Sequence, residues 1–170
     1  MYHGPVFRSM RKSLRPGGLL AAVLSSLAIA VSACGSSSTA APAASPTPTA
    51  APATIAVATN ATLGPILVDG SGRTIYLFVS DTGTTSACYT SCATAWPPVL
   101  THGPPQAGSG VTASLLGTTS RTDGTTEVTY GGHPLYYFIG DKKPGDTTGQ
   151  SLNNFGGLWF AVKPDGNRAG

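Results

Sequence analysis

Read for its alternation of apolar and polar positions, the chain divides into three textures. Residues 19–31 form one apolar run. Residues 35–54 contain almost nothing but Gly, Ser, Thr, Ala and Pro. From about Thr54 to Val162, short β-branched and aromatic runs alternate with Gly, Asp and Pro. That third texture predicts strands at Ile55–Ala58, Ile66–Val68, Thr74–Val79, Val111–Leu115, Glu127–Tyr130, Leu135–Ile139 and Leu158–Val162. Turn chemistry separates them: Asp69-Gly70-Ser71-Gly72, Asp123-Gly124, Gly131-Gly132 and Pro164-Asp165-Gly166. One helix is predicted, over Cys88–Trp96, stopped by Pro97-Pro98. The expected fold is therefore mainly β: a single antiparallel domain over residues 55–165, with at most one short helix. A domain of roughly 110 residues holds one modest core.

The pattern also repeats. Arg73-Thr74-Ile75-Tyr76-Leu77-Phe78-Val79-Ser80-Asp81 reads like His133-Pro134-Leu135-Tyr136-Tyr137-Phe138-Ile139-Gly140-Asp141. Each copy follows a Gly-containing turn and precedes a polar loop. The first loop leads to Trp96, the second to Trp159-Phe160. Two copies of one supersecondary unit, about 63–100 and 127–162, predict a pseudo-symmetric pair sharing a core.

The first texture is an address. Arg8, Arg11, Lys12 and Arg15 precede the apolar run, which has signal-peptide length and is short for a bilayer span. Val31-Ser32-Ala33-Cys34 then resembles the lipobox of bacterial lipoproteins. The resemblance implies that residues 1–33 are removed and that Cys34 carries lipid as the new N-terminus. Several acyl chains anchor stably, whereas one binds marginally. An ordinary secretory signal cut near Ala33 is the alternative. Residues 34–54 then read as the lipidated Cys and a disordered tether, because the stretch has no large apolar side chain to bury.

Processing changes the charge. The whole chain carries +3, but four of its ten basic residues leave with the leader. Six basic residues then face seven acids, a net of −1. No basic stripe remains to neutralise phosphates, so nucleic acid is not an expected partner. Cys88 and Cys92 are left in a compartment that permits disulfides and are read as one local bridge. In an uninterrupted helix this spacing sits near the upper end of disulfide reach, so a turn or helix end is expected there.

Both repeats carry Tyr-x-aromatic-x-x-Asp: Tyr76, Phe78, Asp81 and Tyr136, Phe138, Asp141. With Cys88-Tyr89-Thr90-Ser91-Cys92…Trp96-Pro97-Pro98, and with Pro144-Gly145-Asp146-Thr147-Thr148-Gly149-Gln150, the chain resembles the secreted-repeat lipoprotein family over nearly all of residues 60–162. The resemblance implies anchoring and a repeat architecture, and it lends no activity.

On a strand, Tyr and the aromatic residue two positions on share a face, while Asp falls at opposite parity where the strand should end. The plain expectation is that Asp81 and Asp141 bond turn amides and that the tyrosines reach the core edge. Two other readings stand beside it. Tyr76, Tyr136, Asp81 and Asp141 could converge as oxygen ligands for Ca²⁺ or Fe³⁺. Alternatively, Tyr136, Tyr137, Trp96 and Trp159 could wall an aromatic groove for an organic or cell-wall ligand. His102 and His133 fit no standard zinc module with the cysteines. Asp141 with Asp146 reads as turn chemistry before it reads as a hydrolytic pair.

The motif surface therefore comprises Tyr76, Phe78, Asp81, Trp96, Tyr136, Phe138, Asp141 and Trp159, with no catalytic residue, metal ligand or cofactor assigned. The expected function is a membrane-anchored extracytoplasmic binding or envelope-interaction module, not an enzyme. Its expected partners are the membrane, through the lipid, and cell-wall or envelope components. The alternative is an extracytoplasmic redox or electron-transfer accessory using Cys88–Cys92, or a metal-binding protein.

Overall fold

The computed structural model describes residues 51–170. The leader, Cys34 and the tether up to residue 50 lie outside the described residues.

Strands β1 (Thr54–Asn60) and β2 (Gly64–Asp69) form a hairpin, and β3 (Tyr76–Phe78) follows. Helix α1 (Ser91–Ala95) and the two-residue β4 (Gln106–Ala107) lead to the second half. There β5 (Leu116–Ser120) and β6 (Thr126–Tyr130) repeat the hairpin, followed by β7 (His133–Pro134), β8 (Asn153–Asn154) and β9 (Gly157–Ala161). The sheets run β2-β1-β4, β3-β9-β8 and β5-β6-β7. Every strand pair is antiparallel except β1 with β4. The mainly β, two-repeat architecture is as the pattern predicts.

The halves match bond for bond. Leu67 N–H donates to Val162 and Ile75 N–H to Leu67, just as Val128 donates to Val99 and Leu135 to Val128. One core cluster gathers these aliphatic residues with Ile55, Leu77 and Tyr130. A second holds Tyr76, Phe78, Trp96, Tyr136 and Trp159 with both cysteines.

Four details differ from the sequence reading. Val111–Leu115 is not a strand. Residues Ala113–Leu115 make a 3-10 turn, and the strand is the next segment, Leu116-Gly117-Thr118-Thr119-Ser120. Its Gly and polar residues mimic a loop, yet it needs few apolar groups because only one edge is paired. That strand, like β1, moves the start of each repeat earlier than 63 and 127. The fold also continues past residue 165, since Ala169 is buried and its N–H donates to Ala161. Finally, Leu135–Ile139 is not a continuous strand: beyond β7 it forms only bridges at Tyr136, and Ile139 already lies in a turn. It lies along Pro97-Pro98, which have no N–H to donate.

The predicted helix shrinks to α1, and Cys88–Cys92 closes across its start with Cα atoms 5.2 Å apart. Thr90, between them, takes φ of 51° and ends any longer helix. The disulfide is thus a local clamp that holds the chain into Trp96, whose N–H donates to Cys92.

Candidate functional site

Each motif segment lies on the tryptophan-bearing segment of the other repeat. β3 pairs with β9, opposing Phe78 to Trp159 and Tyr76 to Ala161. The second copy pairs with the first repeat's segment: Tyr137 N–H donates to Pro97 at 2.8 Å and Ile139 N–H to Ala95 at 3.0 Å. Where the copies cross, Tyr76 and Tyr136 exchange both backbone hydrogen bonds, each at 2.9 Å. The pseudo-twofold axis therefore passes between these two tyrosines.

The side chains exchange in the same way. The Tyr76 hydroxyl donates to Asp141 Oδ2 at 2.7 Å, and the Tyr136 hydroxyl to Asp81 Oδ2 at 2.9 Å. The other oxygen of each aspartate serves its own turn. Asp81 Oδ1 accepts the Ala87 amide at 2.7 Å, and Asp141 Oδ1 accepts the Thr148 amide at 2.9 Å. Parity explains the exchange: Asp leaves the far side of its strand end, so the Tyr it meets belongs to the other repeat. Burial raises the pKa of both tyrosines, so each hydroxyl keeps its proton and donates.

Around the axis, Phe78, Trp159, Trp96 and Phe138 stack in that order. Successive ring centroids lie 4.0, 3.9 and 4.3 Å apart. Tyr76 meets Trp96 edge-on at 5.4 Å, and Tyr136 meets Trp159 edge-on at 5.1 Å. Such pairs add roughly 0.5–1.5 kcal/mol each beyond area burial. Trp96, Trp159, Tyr76 and Tyr136 are all 0% exposed. Burial thus overturns the reading of Trp96, Trp159 and Tyr136 as walls of an open groove. Both carboxylates are likewise committed to internal donors. Among the described residues no group of three or more His, Cys, Asp or Glu could hold a metal ion. Gly149 is tied to this packing, because a Cβ there would lie 2.8 Å from Trp96 and 2.9 Å from Tyr76. Asp146 caps its turn through the Lys142 and Lys143 amides, apart from any catalytic pairing with Asp141.

One side of the axis carries chemistry that the motif did not announce. Arg121 is buried and donates through Nη1 to Glu127 Oε2 at 2.7 Å and Ser86 Oγ at 2.9 Å. Its Nη2 donates to the Cys88 carbonyl at 2.7 Å, and its Nε reaches the half-exposed Asp123 at 3.2 Å. Ser86 Oγ also shares a hydrogen bond with the Tyr136 hydroxyl at 2.7 Å. Glu127 is 0% exposed, and its Oε1 has no partner among the described residues. Burial pushes Glu127 up to about 8 against the pull of Arg121, and it pushes Asp81 up to about 6. A signal existed in the repeats. The bond pattern sets Leu67 against Val128, so Glu127 stands where the first copy has Ile66. The arrangement ties the second hairpin to the disulfide segment.

What faces solvent is plainer. A groove of about 550 Å³ lies between Gly103-Pro104-Pro105 and β5, lined by Leu116, Gly117 and Thr118, with no charged side chain. Two smaller hollows flank the motif strands. One, of about 210 Å³, includes Arg73, Tyr137 and Ile139, with the Arg73 guanidinium 3.8 Å above the Tyr137 ring. The other, of about 290 Å³, includes His133, Leu77 and Val79, the counterparts of those three across the axis.

Residues 57–100 and 117–163 each match a family described as a secreted repeat of unknown function, and together they cover more than half of the chain. The chain belongs to this secreted-repeat family. The two matches coincide with the two halves of the fold, hairpin included. Membership makes the domain an extracytoplasmic one. Among the described residues no helix is long and apolar enough to cross a membrane. No curated protein and no solved structure matches the chain.

Proposed function

We propose that this secreted-repeat protein is a non-catalytic binding module, tethered by lipid on Cys34 to the outer face of the cell membrane and directed at cell-wall or envelope components. The observation that carries the reading is how the motif is used. Its tyrosines and aspartates are bound to one another across the axis and its tryptophans are stacked out of reach. They serve as scaffold, which leaves the uncharged groove and the two flanking hollows as the surfaces on offer. The lipobox at Val31–Cys34 and the long tether support presentation at a distance from the bilayer.

The test has two parts. Mass spectrometry of the native product is expected to find acylated Cys34, with Cys34→Ala releasing the protein into the medium. Purified protein is expected to co-sediment with isolated cell wall. Reproducible turnover of any substrate, lost on one polar substitution, would overturn the non-catalytic reading. The redox alternative draws less support, since Cys88 is fully buried and Cys92 nearly so.

A further inference from the structure

The two hairpins are equivalent, but their outer edges are not. In the first repeat, the outward edge of β1 is covered by the segment running through β4. Gln106 N–H donates to Ala53 at 2.8 Å, Gly108 N–H to Ile55 at 2.6 Å, and Val57 N–H to Ser109 at 2.9 Å. The pairing is parallel, with Thr54 opposite Gln106 and Ile55 opposite Ala107. The approach is close enough that a Cβ on Gly108 would sit 2.8 Å from the Ile55 carbonyl oxygen.

In the second repeat, β5 takes the place of β1, with Leu116 matching Ile55 and Thr118 matching Val57. Gly131 N–H donates to Leu115, which makes Gly117–Thr129 and Thr119–Glu127 the hydrogen-bonded pairs of the ladder. The Leu116 carbonyl and the Thr118 N–H and carbonyl therefore point away from β6. No described residue pairs with them, and the groove of about 550 Å³ opens there. An uncovered edge is a template for strand addition.

We propose that this edge binds a partner protein through an extended, uncharged, small-residue peptide, which adds to β5 as a parallel strand in the way that the Gln106–Ser109 segment adds to β1. The inference deepens the binding reading above, and rests on it, by naming the partner's chemistry. The groove walls explain that chemistry: Gly103, Pro104, Pro105, Ala107 and Ala113 offer no charge to pair with a charged side chain. The partner strand needs glycine or another small residue at the position whose N–H meets the Leu116 carbonyl, where the first repeat uses Gly108 against Ile55.

The probe is a synthetic peptide of this chain's own covering segment, Pro105–Val111, added to the full chain in detergent and read by amide hydrogen exchange and fluorescence anisotropy. We expect exchange at Thr118 to slow at least tenfold at saturating peptide, with Val57 unchanged. Thr118→Pro, which removes an outward N–H and no ladder bond, is expected to weaken binding at least tenfold. A peptide N-methylated at the residue matching Gly108 tests the neighbouring bond, to the Leu116 carbonyl, with the protein untouched, and is also expected to lose binding at least tenfold. No protection at millimolar peptide overturns the proposal, as does equal binding of a peptide with Lys or Glu at the central positions. Protection of Thr118 without peptide, lost on deleting residues 35–50, assigns the edge to the chain's own tether and overturns it too. Protection that rises with protein concentration assigns the edge to a second copy and likewise overturns the proposal. Cell-wall co-sedimentation by wild-type protein that shows no protection by the peptide sinks this inference and leaves the broader function standing.

Discussion

The two sides of the pseudo-twofold axis hold the same Tyr–Asp bond in different surroundings. On the Tyr76–Asp141 side, the hydroxyl is completed by the Gly149 amide at 3.3 Å, and the carboxylate by the Thr148 amide and hydroxyl. Those supports are neutral. On the Tyr136–Asp81 side, the hydroxyl meets Ser86, which meets Arg121, which meets Glu127. There a buried cation and a buried carboxyl extend the same bond into the second hairpin and the disulfide segment. Repetition thus set one geometry twice, and the residues around it made one copy electrostatically costly to disturb. A buried Arg–carboxyl pair adds little net stability when intact, because desolvation offsets its attraction, but removing one member leaves the other's polar atoms unsatisfied at full desolvation cost.

The largest effect should come from breaking that pair. Arg121→Met strips a buried donor from the Glu127 carboxyl, from Ser86 and from the Cys88 carbonyl, and we expect a loss of about 3–5 kcal/mol in urea unfolding. On the other side, Asn60→Ala removes a hydrogen bond to Gly145 and those that its own oxygen accepts from the Thr62 and Leu63 amides, and should still cost less, about 1–2 kcal/mol, because water can replace bonds at this exposed turn. Equal losses would erase the contrast between the sides.

Removing each hydroxyl comes next. Tyr136→Phe leaves Ser86 and Asp81 short of a partner in a buried network, whereas Tyr76→Phe leaves Asp141 still bonded to Thr148. We expect about 2–3 kcal/mol for the first and about 1–2 for the second, read from denaturation midpoints at constant slope. A double-mutant cycle of Tyr76→Phe with Asp141→Asn should couple across the repeats by at least about 0.5 kcal/mol. No coupling would mean that the exchanged bond does not hold the halves together.

The pH response sharpens the comparison. Glu127 rises from an ordinary 4.5 to about 8, and Asp81 from 3.8 to about 6. A raised carboxyl is protonated in the folded chain where the unfolded chain has already released its proton. Its stabilisation is therefore complete below the ordinary value and is lost as pH climbs through the folded one. We expect stability to fall steadily between pH 5 and pH 8, with Glu127→Gln flattening most of the slope. A melting temperature that rises over this window would contradict the upward shift. The lowered aspartates Asp69, Asp123, Asp146 and Asp165 act oppositely, and their stabilisation disappears only on acidification below about pH 4.

The smallest effect lies away from the axis. Phe155 and Gly156 close the β8–β9 turn with φ of 52° and 86°, the two-residue arrangement that Asn-Gly suits. Phe155 is 45% exposed, so little packing compensates its left-handed backbone. Phe155→Asn should raise stability by about 0.5–1 kcal/mol in thermal melts.

Much of this was legible in the chain. Alternating β-branched and aromatic runs place five of the seven predicted segments on strands, because period-2 burial leaves a local trace, and Leu135–Ile139 pairs only through bridges at Tyr136. The seventh failed because Leu116–Ser120 is an edge strand of glycine and small polar residues, whose local signal is that of a loop. The doubled Tyr-x-aromatic-x-x-Asp motif announced the two repeats, and two nearby cysteines their bridge.

Tertiary structure alone decided the partnerships. Within one repeat the parity of Tyr and Asp says only that they leave opposite faces. It takes the crossing of the two copies at Tyr76 and Tyr136 to bring Asp141 to the first hydroxyl and Asp81 to the second. The union of Arg121 with Ser86, Cys88 and Glu127, and the uncovered edge of β5, arise the same way. Local pattern fixes which face a side chain leaves and how often that face recurs. Which residue waits there depends on contacts between segments distant in the chain, and no local alternation encodes them.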